Sequence, residues 1–208
     1  VNVSEISGPY VSDTDTISMS PTADKIIIMP TWRPWEINMA RADFLETPYF
    51  KMIMKIYNSV PKELQDKVII LPHPLIINEL KHIPDSVSDK IILSARYDDL
   101  LKEARLLITD YSSIAFDAFY RGARVIFYWE EKDYCMSKYG PSTKLMLNEE
   151  NVYGDYFYND NGLEDSIREN YNNEQTELYK ERYSKIVEFH DGKNTQRLVD
   201  FLKQDEII

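Results

Sequence analysis

Short apolar segments alternate with helix-like segments along this chain. The apolar segments lie at residues 26–29, 68–71, 90–93, 105–108 and 124–128. Helical patterns separate them, the clearest at residues 48–59, 97–104 and 112–122. Short strands that are apolar on both faces are typical of a parallel sheet covered by helices on both sides. We therefore predict an α/β fold, a Rossmann-like doubly wound parallel sheet.

The two ends of the chain differ from this central pattern. Residues 1–23 are rich in Ser, Thr, Asp and Pro without periodicity, which predicts a linker or lead-in cut from a longer chain. Residues 24–208 are predicted to form one nucleotide-binding domain. Its last part, from Leu163 onward, is predicted to form three helices, with breaks near Asn172 and at Gly192.

Composition narrows the classes of partner and the compartment. The net charge of -11 repels nucleic acid, and no basic run offsets it, so no nucleic-acid partner is expected. Cys135 is the only cysteine, which suits a reducing compartment, and we expect a cytoplasmic location. The apolar runs are far shorter than the ~18 residues that a membrane span requires.

The candidate chemistry lies in the loops after the predicted strands. Residues 30–33 follow the first strand, residues 72–74 the second and residues 109–113 the fourth. Ligands of open parallel sheets bind at the carboxyl ends of the strands, where free backbone N–H groups and helix starts are exposed. Each of these loops carries a polar group that suits a phosphate.

The adjacent serines Ser112 and Ser113 are candidates for binding a pyrophosphate, together with Thr109 at the start of their loop. A serine at a helix start caps the backbone, and its small side chain lets an anion approach the N–H groups. Asp117 lies one helical turn after Ser113 on the same face, where a carboxylate would accept hydrogen bonds from ribose hydroxyls. The alternative is that Ser112 only caps the helix and that Asp117 is a solvated or ion-paired acid.

Arg33 and His73 are the other two candidates. The guanidinium of Arg33 is a planar fork that suits bidentate phosphate binding, and the alternative is a surface arginine stacked on a tryptophan. His73 lies between two prolines that restrict its backbone, which suits an imidazole directed into a cleft, and the alternative is a structural histidine. No carboxylate cluster has metal-ligand spacing, so neither a metal nor a cofactor is expected.

Four segments, taken in order, resemble one family. "PTWR", "HP" after an apolar strand, "RYDDLLKEARLLITDYSSIAFD" and "FHDGK" are similar to the CDP-glycerol glycerophosphotransferase family of teichoic-acid and capsule polymerases and primases. The resemblance spans roughly residues 25–202, and "LITDYSSIAFD" is its most specific part.

The resemblance implies the C-terminal, donor-binding half of a glycosyltransferase-B-like fold. Such enzymes transfer glycerol phosphate, or another polyol phosphate, from a CDP-polyol to a hydroxyl on a growing polymer and release CMP. By position in the motifs, His73 matches the family's functional histidine, Arg33 its loop arginine, and Ser112 and Ser113 the serines that line the donor phosphates. Asp117 is similar in placement to the ribose-binding acid of nucleotide-sugar enzymes with the same fold.

The resemblance also implies what lies outside this chain. An N-terminal half would supply a second histidine as general base, and would contact the polymer or lipid-linked acceptor. It would also make any peripheral association with the inner face of the membrane. Two other functions remain open: half of a UDP-sugar-dependent glycosyltransferase or epimerase, and a non-catalytic nucleotide- or partner-binding module.

Overall fold

Five parallel strands form one sheet in the part of the chain that the structure describes. This structure is a computed structural model that describes residues 22–80, 83–93, 96–189 and 191–205. The strands are β1 (Lys25–Ile28), β2 (Val68–Ile70), β3 (Ala104–Thr109), β4 (Arg124–Tyr128) and β5 (Asp155–Phe157). Their spatial order is β2-β1-β3-β4-β5, and every neighbouring pair is parallel.

Two predicted details of the sheet were wrong. The strand expected at residues 90–93 is reduced to a single parallel bridge between Ile91 and Ile70. Conversely, β5 was not predicted, because this three-residue edge strand begins with an aspartate and has no apolar run. With the Ile91 bridge counted as the third strand in the chain, the spatial order is the 3-2-1-4-5-6 of doubly wound nucleotide-binding folds.

Helices cover both faces of the sheet. The α-helices of the described residues are α1 (Ile37–Ala42), α2 (Pro48–Asn58), α3 (Asp85–Ser88), α4 (Tyr97–Glu103), α5 (Ile114–Tyr120), α6 (Lys132–Tyr139), α7 (Leu163–Asn172), α8 (Glu177–Ser184) and α9 (Asn194–Gln204). Short 3-10 helices span Pro34–Glu36, Phe44–Glu46, Lys62–Lys67 and Pro74–Glu79. None of the helices described is both long and apolar enough to cross a bilayer.

The alternation of side chains along the strands builds two separate cores. On one face, Ile26, Ile28 and Ile108 pack with the buried sides of α2 and α7. On the other face, Ile27 and Leu107 pack with α4, α5 and α8. Because successive strand residues point to opposite faces, continuous apolar strands supply both cores at once. The predicted doubly wound sheet is therefore confirmed, whereas the linker expected at residues 1–23 falls almost wholly outside the described residues.

Candidate functional site

The candidate site lies where the strand order of the sheet reverses. The chain runs outward from β1 to β2 on one side, and from β3 to β4 and β5 on the other. The loops after β1 and β3 therefore leave the sheet in opposite directions and form a crevice at its carboxyl edge. The loop after β2, which carries His73, flanks this crevice on the β1 side.

Asp110 connects three of the loops at this edge. Its Oδ1 accepts hydrogen bonds from the backbone N of Thr31 at 2.9 Å and of Tyr111 at 2.6 Å. Its carbonyl oxygen accepts one from Nε1 of Trp129 at 3.0 Å. The loops after β1, β3 and β4 are thus fixed to one another through a single buried residue. Burial raises the pKa of Asp110, while Arg33 and the two N–H donors act in the opposite direction.

Thr109 joins the ends of the two central strands. Its side chain is buried, and its hydroxyl donates a hydrogen bond to the Met29 carbonyl at 2.7 Å. The hydroxyl therefore does not face the open crevice. The expected contact of Thr109 with phosphate stays a prediction, since its hydroxyl is bonded to Met29 in this structure.

Arg33 is also buried, with 1% of its surface exposed. Its Nη2 lies 3.0 Å from Oε2 of Glu131 and 4.0 Å from Oδ2 of Asp110, and its Nε lies 3.7 Å from Oε1 of Glu36. Nε also donates a hydrogen bond to Sγ of Cys135 at 3.3 Å. These four residues and Arg33 form a buried charge cluster directly beneath the loops of the site.

The pKa values in the charge cluster follow from its burial and its ion contacts. Burial alone would lower the pKa of Arg33, but Asp110, Cys135 and Tyr111 together outweigh it and raise that pKa, so the guanidinium stays charged. Burial raises the pKa of Glu36, and Arg33 opposes this shift. The alternative of a surface arginine is wrong, because the carboxylates of Glu36, Asp110 and Glu131 surround Arg33 inside the protein. The contact of Arg33 with phosphate stays a prediction.

The serine pair lies on the open side of the crevice. Helix α5 begins at Ile114, two residues later than predicted, and Ser113 occupies the N-cap position without a side-chain capping bond. The Ser112 hydroxyl accepts a long hydrogen bond of 3.5 Å from the Ile114 N. Ser112 is half-buried and Ser113 is exposed. Their hydroxyls are therefore available to a ligand.

Asp117 follows Ser113 by one turn of α5, as the sequence predicted. Its carboxyl group is exposed, and its pKa is raised because the surrounding protein displaces part of its water, while Arg121 acts in the opposite direction. The helical spacing puts Ser113 and Asp117 on one face. A ligand held at the serines would extend along this face toward the carboxylate.

His73 is half-buried at the start of the 3-10 helix Pro74–Glu79. Its Nδ1 accepts a hydrogen bond from the backbone N of Leu75 at 3.3 Å. In the neutral imidazole, this bond assigns the proton to Nε2, which becomes the hydrogen-bond donor of the ring. Burial lowers the pKa of His73, so the neutral form prevails near pH 7.

Two residues of the site have no role in the sequence predictions. Asp110 stands inside the recognised "TDYSS" segment, so the motif gave a signal for it. Tyr49, at the start of α2, contacts the loops after β1 and β2 through its hydroxyl, and no sequence spacing indicates that contact.

With this geometry established, comparisons with known proteins decide the family. The sequence model described as CDP-Glycerol:Poly(glycerophosphate) glycerophosphotransferase matches residues 13–204. The chain belongs to this family. The resemblance carried by the four sequence segments is thereby confirmed.

Two relatives from Bacillus subtilis (strain 168) are similar over most of this chain. The minor teichoic acid biosynthesis protein GgaB is 26% identical over an alignment of 205 residues, and the match covers 88% of this chain and 22% of GgaB. The teichoic acid glycerol-phosphate primase is 24% identical over 196 residues, 93% of this chain and 46% of the primase. The chain thus spans less than half the length of either curated relative.

Solved structures of the wall teichoic acid polymerase TagF have the same fold. One TagF variant superposes with a TM-score of 0.56 at 22% identity, over 89% of this chain and 44% of TagF. A TagF variant soaked with CDPG gives a TM-score of 0.55 at 23% identity, over the same shares of both chains. This likeness confirms the predicted Rossmann-like, glycosyltransferase-B-like fold class.

Proposed function

We propose that this chain is the donor-binding part of a polyol-phosphate transferase. The enzyme would move glycerol phosphate, or another polyol phosphate, from a CDP-polyol to a hydroxyl of a teichoic-acid-like or capsular polymer, releasing CMP. The observation that carries this proposal is the placement of Ser112, Ser113 and His73 on loops around the strand-order reversal, within the segment matched by the family.

In this proposal the serine loop binds the donor. The half-buried Ser112 and the exposed Ser113 would hydrogen-bond the phosphate oxygens, and Asp117 one turn later would accept hydrogen bonds from the ribose hydroxyls. The phosphate contacts expected of Arg33 and Thr109 stay predictions, and both side chains are buried in this structure. They would fix the loops that carry the binding groups.

His73 is proposed as the catalytic residue of this part. An acceptor hydroxyl attacks the distal phosphorus in line, the new P–O bond forms, and the bond to the bridging oxygen breaks as CMP leaves. The hydroxyl proton would pass to a base in the part of the enzyme that lies beyond this chain. The neutral Nε2–H of His73 would donate a hydrogen bond to the oxygens that gain charge, so catalysis rests on positioning and electrostatic stabilisation.

The remaining parts of the proposal concern partners and location. The acceptor, a polyol-phosphate polymer or a lipid-linked primer, would be bound mainly by the rest of the intact protein. The single cysteine suits the reducing cytoplasm, and the intact protein would act at the inner face of the cell membrane.

Turnover by the intact protein tests this function. We expect CMP release from CDP-glycerol in the presence of a glycerol-phosphate primer, and no turnover of UDP-N-acetylglucosamine. His73→Ala should reduce the rate at least about a hundredfold, the range lost with a group that stabilises developing charge. Turnover of the UDP-sugar would instead favour a glycosyltransferase, and binding without turnover of either donor would favour a non-catalytic module.

A further inference from the structure

The hydroxyl of Tyr49 lies between the loops after β1 and β2. It donates a hydrogen bond to the Pro30 carbonyl at 3.4 Å and accepts one from the backbone N of His73 at 3.2 Å. Tyr49 has 0% of its surface exposed. One buried oxygen atom therefore joins the histidine loop to the loop that enters the crevice.

The rest of Tyr49 is fixed from several sides, so its hydroxyl has a defined position. It is the second residue of α2, and its backbone N donates a hydrogen bond to Oε2 of Glu36 at 3.0 Å. Its ring packs edge-on against Trp32, with centroids 5.4 Å apart, and the guanidinium carbon of Arg33 lies 5.9 Å from its centroid. Burial raises the pKa of Tyr49, so the hydroxyl keeps the proton that it donates to Pro30.

The hydrogen bonds of Tyr49 are linked to those of Asp110 through the Pro30–Thr31 backbone. Pro30 is followed by Thr31, whose backbone N donates a hydrogen bond to Asp110 at 2.9 Å. Asp110 in turn precedes Tyr111 and the serine pair. A path of hydrogen bonds and short backbone segments thus connects His73 with Ser112 through buried groups. The spacing between the histidine and the serines is therefore set by Tyr49 as well as by the sheet.

We propose that Tyr49 is a positioning residue that fixes His73 relative to the serine loop. This inference rests on the proposed function, in which His73 stabilises the leaving phosphate. Because the hydroxyl contacts the backbone of His73 and leaves the imidazole free, its loss should displace the imidazole without removing it. Tyr49 makes no contact with donor in this account.

The variant Tyr49→Phe in the intact protein tests the inference. It removes one oxygen atom and leaves the Pro30 carbonyl and the His73 N–H without their partner. Loss of an interaction that is made only in the transition state lowers kcat and leaves KM unchanged. We expect kcat for CDP-glycerol to fall about tenfold and the donor KM to stay within about threefold. The matched control is Tyr57→Phe on the same helix, whose hydroxyl donates to the Ser86 carbonyl at 3.4 Å, away from the site.

Hydrogen exchange provides a second readout that does not depend on turnover. In Tyr49→Phe the backbone amide of His73 should exchange at least about tenfold faster than in the wild type, and in Tyr57→Phe at the wild-type rate. An unchanged exchange rate of that amide, or equal kcat values for the two variants, would overturn the inference. A wild-type protein that releases no CMP would contradict the proposed function, and the exchange measurement would then decide for or against the Tyr49 link.

Discussion

Replacement of Arg33 by methionine is expected to destabilise the fold strongly. Methionine keeps an unbranched side chain, shorter than that of arginine, and removes the positive charge between Glu36, Asp110 and Glu131. The three carboxylates lie 3.7, 4.0 and 3.0 Å from the guanidinium, and Arg33 is 1% exposed. Removing one partner of a buried ion pair costs about 3–5 kcal/mol, because the remaining charge is left buried without compensation.

That loss is a large part of the total stability, since the free energy of unfolding of such a domain is about 5–15 kcal/mol. The control is Arg41→Met on α1. Arg41 has 64% of its side chain exposed and pairs with Glu79 at 3.7 Å, and a surface pair of this kind contributes about 0–1 kcal/mol. Urea denaturation followed by circular dichroism gives the free energy of unfolding of both variants.

The loss of unfolding free energy in Arg33→Met relative to the wild type, called the deficit below, should also depend on pH. Burial already raises the pKa values of Glu36 and Asp110 in the wild type, and loss of the cation removes the effect that opposes this rise. A carboxyl group whose folded pKa lies above its unfolded pKa destabilises the fold as pH rises through that window. The deficit should therefore shrink from pH 7 to pH 5. A deficit below about 1 kcal/mol, or one that is constant with pH, would refute the reasoning.

Three further predictions concern single residues of the sheet and of the site. Gly154→Ala should lower the free energy of unfolding by about 1–3 kcal/mol in urea titrations. A Cβ at this position would lie 2.1 Å from the backbone O of Val125, so the backbone must shift, and wild-type stability would contradict this prediction. Trp129→Phe should cost about 0.5–1.5 kcal/mol by the same assay, because it removes the hydrogen bond to the Asp110 carbonyl and keeps most of the ring, and an unchanged value would show that the bond is dispensable. Finally, because burial lowers the pKa of His73, its imidazole should titrate with a midpoint below the ordinary histidine value of about 6.5 when it is followed by NMR, and a midpoint above that value would contradict this burial effect.

The strands that the sequence predicted well are those buried on both faces. β1, β2 and β4 coincide with apolar runs, and the three C-terminal helices α7, α8 and α9 occur with the breaks expected near Asn172 and Gly192. These elements are confirmed because a buried strand and an amphipathic helix have characteristic local patterns. The edge of the sheet was harder to predict, because β5 is short and half-exposed and depends on tertiary contacts.

The contacts of Asp155 at the start of β5 illustrate this dependence. One carboxylate oxygen accepts hydrogen bonds from Ser166 at 2.6 Å and from Asn170 at 2.7 Å, and the other accepts one from Tyr179 at 2.6 Å. These three residues follow Asp155 by 11 to 24 positions. No local pattern marks such a set, so the sequence alone did not predict the strand.

The positions of the exposed site residues could be predicted from the sequence. The positions of the buried ones could be predicted less well. The loop that carries Ser112 and Ser113 emerges at the carboxyl edge, as a loop after a parallel strand must, and Ser113 and Asp117 are exposed. Their contacts with a donor stay predictions. The position of Arg33 could not be predicted in this way. Its carboxylate partners Glu36, Asp110 and Glu131 come together only in the folded chain.

The central claim is that the serine pair holds the phosphates of a CDP-polyol, and calorimetric titration of CDP-glycerol tests it most directly. The titration compares the intact protein with its Ser112→Ala and Ser113→Ala variants. Ser184→Ala on α8 is the control, since its exposed hydroxyl only donates to the Glu181 carbonyl. The account predicts micromolar to millimolar binding, weakened at least about tenfold by either site variant and unchanged by the control, with no binding of UDP-N-acetylglucosamine. Equal affinity in all four proteins would contradict it.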